Sequence, residues 1–446
     1  MRCARRDDHV NLAYPPGPPV PRAIQTLLYA KWRAPLLIAS ARRYGEVFTL
    51  RLIEPYASNV VVFSKPEHIR EIFAADPADL HAGEGNRLLL YVMGEHSLLL
   101  TDEAEHARAR RLLMPAFAGS ALRGYRGMVE AIAKEHTERW VTGSTVHTLE
   151  QMNDLTLEVI MRVVFGLTDA RRREELAPRL RQIVNLNPIV FLGWKYPRLE
   201  RFGPWKRFRD TQRAIDELLY REIAARRADP ELDRRTDVLS RLLAVGAGEH
   251  PSDTPLSDAE LRDQLITLLL AGHETTASAL SWTLHELAAD PVVQDTARRA
   301  AREGDDKYLE AALKEGMRRH TVIAATGRKL TRDLTIGGLD LPRGTVVSTS
   351  ILLAHRSTSN YPDATAFRPD RFLDGSVGHN AWLPFGGGVR RCIGAGFSLM
   401  EGTAVLREVL TRYRLELPDG AAGERAKIRN ITHVPAHGAP VRVTTL

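Results

Sequence analysis

The residues best suited to chemistry gather around one sulfur, in the stretch Phe385-Gly386-Gly387-Gly388-Val389-Arg390-Arg391-Cys392-Ile393-Gly394. The consecutive glycines let the backbone turn tightly and bring amide groups toward one point. A helix is expected from near Ala395, so its N-terminus joins those amides in favouring an anionic sulfur. Arg390 adds positive charge beside it. A cysteine in a glycine-rich turn is more often a small inert core residue. Against that stands a pattern of five positions, Phe385, Gly388, Arg390, Cys392 and Gly394, which argues for a working thiolate. The other cysteine is Cys3, near the N-terminus. A disulfide framework and a four-thiolate zinc or iron–sulfur site are therefore excluded, and a reducing compartment is implied.

A second constellation, Ala271-Gly272-His273-Glu274-Thr275-Thr276, lies in the middle of a long helical pattern. The pattern opens on the capping box Ser257-Asp258-Ala259-Glu260 and stops at Asp290-Pro291, which gives a helix of ~33 residues, on the order of 50 Å. Glycine in a helix interior costs about 1 kcal/mol relative to alanine, and threonine hydroxyls can bond back and bend the turn. Gly272 is explained either by close helix packing or by a groove for a small ligand, with Glu274 and Thr275 beside it. A zinc-protease reading fails, because Ala277 and Ala289 stand where His273-Glu274 and His285-Glu286 would need a second histidine.

A thiolate facing a flat apolar space is what an axial ligand to haem iron requires. The cysteine loop resembles the haem-binding signature of the cytochromes P-450, the haem-thiolate monooxygenases. Three further motifs agree in order: Ala271–Thr276 is similar to that family's oxygen-activating groove, Glu315-Gly316-Met317-Arg318 to its E-x-x-R element, and Pro369-Asp370-Arg371-Phe372 to its P-x-R-F element. The likeness runs from about Pro15 to Leu446. It implies a mainly α fold with a minor β region, one large triangular domain around a long central helix. Residues 1–14 would be a flexible N-terminus and 15–446 the haem domain.

The resemblance also implies roles. Haem b would be held by Cys392 on the iron, with Phe385, Gly386 and Gly394 shaping the loop. His106, Arg110, Arg328 and Arg390 would take the two propionates. Glu315, Arg318 and Arg371 would form a buried network bracing the loop. Gly272 would make room for dioxygen, Thr275 would hydrogen-bond it, and Glu274 would relay protons through water. Family position puts the pocket walls at residues including Leu88, Tyr91, Phe191, Leu268, Ala271, Ile323, Ala324 and Thr432. These are mostly aliphatic, which suggests an apolar small-molecule substrate of terpenoid, fatty-acyl or polyketide-like class. No flavin or nicotinamide fingerprint is present: Gly394-Ala395-Gly396 lacks the third glycine and a preceding strand. Electrons should then come from an external ferredoxin and an NAD(P)H-dependent ferredoxin reductase, docking near Arg108, Arg111 and Arg391. The family commonly has a proline in the stretch Arg319–Thr326, and this chain has none, so the pocket loop should differ in shape. A peroxide-driven haem hydroxylase and a non-catalytic haem-binding sensor or carrier are the competing readings.

The elements that must position these residues follow from periodicity. Helix is expected over about 66–75, 103–117, 121–141, 149–166, 171–187, 205–228, 236–245, 257–289, 291–303, 307–320 and 395–413. Strand is expected at 46–53, 59–64, 327–338, 344–349 and 440–445. The 446 residues are 44% hydrophobic and 26% charged, ordinary for a globular protein. Lys+Arg 62 against Asp+Glu 55 gives +7, a mildly basic and scattered surface with no nucleic-acid signature. No signal peptide and no stretch long and apolar enough to span a bilayer is found. A soluble, cytoplasmic monomer is expected.

Overall fold

The structure, a computed structural model, describes residues 14–54, 56–166, 170–184, 190, 196–244, 254–378, 380–421 and 423–446. The central helix is Asp258–Ala289. Its capping box is formed: the Glu260 amide donates to Ser257 Oγ at 3.2 Å, and the Ser257 amide donates to Glu260 Oε2 at 2.8 Å. At the other end the Asp290 carboxylate caps the next helix, Pro291–Glu303, by accepting from the Val292 and Val293 amides at 3.1 Å. The central helix is apolar on several faces and lies inside the molecule, buried from Leu261 to Leu269 and from Thr276 to Ala288.

Helix Thr148–Phe165 packs along it. A Cβ on Gly272 would lie 2.8 Å from Ile160 Cδ1, and Thr156 Oγ1 donates to the His273 carbonyl at 3.1 Å. The missing side chain of Gly272 faces a neighbouring helix, so close packing accounts for the glycine.

The other expected helices are present: Pro66–Ala74, Glu103–Leu113, Gly119–Thr137, Ala170–Val184, Gly203–Arg227, Val238–Ala244, Asp306–Arg319 and Ala395–Arg412. The expected helix 103–117 tightens to a 3-10 turn at Met114–Phe117, where Pro115 lacks an amide to continue the ladder. Helices Arg22–Lys31, Arg33–Tyr44 and Ile351–Arg356 were not expected. The last follows directly from strand Val346–Ser350, and its apolar run reads equally as strand; the Ser350 hydroxyl, accepting from the Leu353 amide at 3.3 Å, marks the switch.

The largest sheet has the order Val47–Arg51, Asn59–Phe63, Val346–Ser350, Ala325–Leu330, Leu80–His81. One pair is parallel, with Val60 opposite Val346. The expected strand 327–338 is split, because Leu334–Ile336 leaves the sheet to form a hairpin with Leu339–Leu341. Short strands Thr145–His147 and Tyr413–Glu416 flank Pro440–Thr445 in another sheet, and Ala426–Arg429 pairs with Thr432–Pro435. That last hairpin reaches the middle of the molecule, where Thr432 bridges Ile323.

The segment before helix Glu103–Leu113 is fastened to the central helix. The His96 amide donates to Asp263 Oδ2 at 2.9 Å, the Leu98 amide to Gln264 Oε1 at 3.1 Å, and Thr267 Oγ1 to Ser97 Oγ at 2.7 Å. Among the described residues no helix is long and apolar enough to cross a membrane.

Candidate active site

The cysteine loop is built by close approach. The Cys392 amide donates to the Phe385 carbonyl at 2.9 Å, closing the turn. Gly386 and Gly388 both have φ of 63°, a region that side chains rarely adopt. A Cβ on Gly388 would also meet the Phe73 carbonyl oxygen at 2.2 Å. The loop is therefore pressed onto the end of helix Pro66–Ala74. Phe385 packs edge-on against Trp382, with ring centroids 5.6 Å apart, and Trp382 Nε1 donates to the Lys314 carbonyl at 3.1 Å.

Cys392 carries exposed surface, yet its sulfur is surrounded by protein on most sides. Burial pushes the thiol up from its ordinary value; the Gly394 amide, Arg110 and Arg391 pull the other way without overcoming it. The loop thus aims partial positive charge at the sulfur, but it does not make the anion unaided.

Glu315, Arg318 and Arg371 are brought together in full burial. Arg318 grips Glu315 with two bonds, Nε to Oε2 at 2.7 Å and Nη2 to Oε1 at 2.8 Å. Its remaining donors reach the carbonyls of His355 at 3.0 Å, Ala364 at 2.8 Å and Ala366 at 3.0 Å. Arg371 Nε donates to Glu315 Oε1 at 3.1 Å, as does the Arg368 amide at 2.9 Å. His355, which sequence reasoning missed, joins this network to the cysteine loop: its Nε2 accepts from the Leu383 amide at 2.9 Å.

Four basic residues meet beside the sulfur. His106 and Arg328 are buried, Arg110 and Arg390 half-buried. Burial and the charges of Arg390, Arg110 and Arg328 hold the His106 imidazolium down to about 3, so the ring is neutral. Burial, and then Arg390, lowers Arg328 to about 10. Arg110 senses the Cys392 sulfur, which ties the cluster to the loop. The carboxylate among them is Asp102, paired with Arg390. Arg390 also donates to the carbonyls of Leu98 at 3.2 Å and Thr101 at 2.5 Å. Among the described residues, three guanidiniums, partly or wholly out of water, face one carboxylate, which leaves a deficit of negative charge. Asp102 was missed in the sequence, although an aspartate just before a helical run is an N-terminal signal.

The central helix is buried on either side of its middle. In its interior, exposed surface returns at Leu270, Ala271, Gly272 and Thr275. Thr275 Oγ1 donates to the Ala271 carbonyl at 2.8 Å. Thr276 and Ser398 share a hydroxyl bond at 3.1 Å, which fastens this turn to the helix that begins just after Cys392. Glu274 is buried and engaged elsewhere. Its Oε1 pairs with Arg429 Nε and accepts from Thr432 Oγ1 at 3.1 Å. Burial raises its carboxyl, with Arg429 and Thr432 opposing. Nothing in the local pattern around residue 429 signals that partnership.

The family model for cytochrome P450 matches residues 15–436. The chain belongs to the cytochrome P450 family. A mycobacterial relative, cytochrome P450 135A1 of Mycobacterium tuberculosis, is 59% identical over 429 residues, covering 96% of this chain and 95% of the relative. Cytochrome P450 135B1 of Mycobacterium bovis is 40% identical over 439 residues, covering 97% and 92%. The cyanobacterial CYP120A1, solved with retinoic acid bound, superimposes with a TM-score of 0.82 at 24% identity, over 97% of this chain and 100% of that one. The mainly helical P450 fold, the haem-thiolate monooxygenase class and haem b as cofactor follow.

The residues of this P450 fit that cofactor. The excess of guanidinium charge around His106 matches two propionates, and Cys392, the one described cysteine, lies close enough to Arg110 of that cluster to interact with it. The residues expected in the pocket wall lie in different surroundings. Leu88, Ala271 and Ile323 keep exposed or half-exposed surface. Ala324 is 1% exposed and packs with Leu37, Phe48 and Leu352, so it is core beneath the large sheet. Leu268 belongs to the central core. Thr432 is buried, with its hydroxyl spent on Glu274. Tyr91 stacks on Phe208 at 4.9 Å and donates its hydroxyl to Glu200 at 3.0 Å. Phe191 lies outside the described residues. Arg108, expected on a docking face, instead pairs with Glu260 at 2.5 Å and donates to the Thr254 and Pro255 carbonyls. It braces the start of the central helix; Arg111 and Arg391 remain exposed.

Gly388→Ala tests the loop geometry. Positive φ and contact with the Phe73 carbonyl act together, so the variant should lose about 2–3 kcal/mol. The measurement is the urea midpoint together with haem content per chain; an unchanged midpoint would show that the loop tolerates a side chain.

Proposed function

We propose that this P450, read as one haem domain over residues 15–446, inserts one oxygen atom of dioxygen into a C–H bond of an apolar terpenoid, fatty-acyl or polyketide-like molecule. The other oxygen atom leaves as water with two protons and two electrons. The electrons come from a separate ferredoxin and NAD(P)H-dependent reductase, and the protein acts as a cytoplasmic monomer. The observation that carries the reading is Cys392, held in its glycine loop beside a basic cluster whose charge is not matched by carboxylates.

Haem b, when bound, supplies the iron at which dioxygen is reduced and an oxygen atom transferred. Cys392 would bind that iron. His106, Arg110, Arg328 and Arg390 would hold the propionates by charge-assisted bonds, and Phe385, Gly386 and Gly394 would keep the loop in shape. Thr275 lies on the opened turn, where its hydroxyl exchanges the Ala271 carbonyl for a ligand. Glu274 reaches that point as a proton donor only after leaving Arg429 and Thr432. Leu88, Ala271 and Ile323 offer apolar surface to the substrate, while exposed Arg111 and Arg391 suit an acidic redox protein.

Turnover of a panel of apolar compounds under isotopically heavy dioxygen tests this. One heavy atom should enter the product when ferredoxin, reductase and nicotinamide are supplied. Thr275→Ala should lower product on the order of tenfold or more, with hydrogen peroxide accumulating instead. Full turnover with peroxide alone would favour the peroxide-driven reading. Absence of product with every compound would favour a sensor or carrier.

A further inference from the structure

His81 ends the short strand Leu80–His81, paired with Leu330 and Lys329. Its Nδ1 lies 3.0 Å from Glu84 Oε1 and 3.8 Å from Asp102 Oδ2, while Nε2 lies 2.8 Å from Glu103 Oε1. A neutral imidazole has one N–H and one lone pair; only the imidazolium donates from both nitrogens. Carboxylates on both sides therefore call for the charged ring. Burial works against that charge, but the Glu84 and Glu103 bonds and the nearby Asp102 outweigh it, so the ring titrates above its ordinary 6.5.

The groups facing it come from three elements. Glu84 stands on the short helical turn Ala82–Gly85 and is itself paired with Lys329 at 2.5 Å. Asp102 and Glu103 open helix Glu103–Leu113. Lys329 and Arg328 lie on strand Ala325–Leu330. Asp102 is the pivot. Its Oδ1 accepts from the Gly83 amide at 2.9 Å, its Oδ2 accepts from the Glu84 amide at 3.2 Å, and it pairs with Arg390. Glu103 has φ of 46°, a left-handed backbone that a non-glycine residue holds only when its surroundings insist. The His81 contact is one of those constraints.

We propose that His81 is a positioning residue for the haem cradle: its imidazolium gathers Glu84, Asp102 and Glu103, so that Asp102 presents Arg390 to the propionates. The inference rests on assigning Arg390 and Cys392 to the haem site. The sign follows from linkage. The hold is complete below about 6.5, the pKa of a free histidine, and is lost as pH rises through the higher value in the folded protein. Above that, three carboxylates repel one another beside the cradle, and haem is released faster. His106 titrates near 3 and does not contribute in this range.

Haem loss from the intact holoenzyme to excess apomyoglobin, followed by absorbance, tests this. The wild-type rate should rise on the order of three- to tenfold between about pH 6 and about pH 9. His81→Gln should be fast at both, and His81→Lys, charged throughout, should be slow at both. Glu103→Gln alters a side chain that is 55% exposed, so it should fold, and it should move the pH step downward. A flat wild-type profile, a step that survives in His81→Gln, or an unmoved step in Glu103→Gln would overturn the proposal. The reduced carbon-monoxide spectrum is recorded first on each sample. If its long-wavelength thiolate band is missing, the haem-site assignment has failed; if it is present and the profile is flat, only the role of His81 has.

Discussion

Arg318→Leu yields almost no folded haem protein. Arg318 and Glu315 are each 0% exposed, and the guanidinium satisfies one carboxylate and three backbone carbonyls. Removing it strands the Glu315 charge in the interior, which costs about 3–5 kcal/mol. Each carbonyl left without a donor adds about 1–3 kcal/mol unless water enters. Native domains hold only about 5–15 kcal/mol in total, so the loss is comparable with the whole stability. Arg318→Lys should fare little better, because an ammonium cannot span both carboxylate oxygens and the carbonyls together. Soluble yield and haem per chain measure the outcome. A variant that purifies with wild-type haem content and denaturation midpoint would show that the network does not brace the loop.

Cys392→Ser separates holding the cofactor from using it. The cluster of neutral His106 with cationic Arg110, Arg328 and Arg390 is untouched, so haem should still be captured, though more loosely. The reduced carbon-monoxide spectrum should lose its long-wavelength band, and monooxygenation should fall by about a thousandfold, equivalent to about 4 kcal/mol of barrier. The physical reason is in the thiol itself. Burial raises it, and the Gly394 amide and two arginines do not compensate; a bound metal ion is what deprotonates a coordinating thiol. Serine at the same place is a far poorer anion and withdraws the electron donation that favours O–O cleavage. Retention of the band in the variant would exclude Cys392 as the source of the sulfur ligand.

Much of the candidate site could be read from the chain because its motifs are contiguous. The capping box at Ser257, the glycine run before Cys392 and the i,i+3 pair Glu315/Arg318 all act over a turn or two, where chain geometry leaves little choice. Helix periods along the core-facing stretches are similarly local. The short strands were harder: Thr145–His147 and Thr432–Pro435 exist because remote partners supply their ladders, and three or four residues carry too little pattern to announce that.

What the sequence alone determined, then, is which residues sit on one turn together: the sulfur with its loop, the acid beside the alcohol, the arginine above its glutamate. What the tertiary structure decided is who meets across distance. Arg429 reaches Glu274 from 155 positions away, and Asp102 reaches Arg390 from 288. With 62 basic and 55 acidic side chains available, spacing cannot choose such partners, because an ion pair is selected by where packing leaves two charges with no other neighbour. Direction was equally hidden. Gly272 has the same identity whether its bare face looks at dioxygen or at Ile160, and Ala324 is as aliphatic in a pocket wall as in a core. Only the rotation of each element about its axis, set by how the apolar faces close on one another, assigns a side chain to solvent, slot or interior.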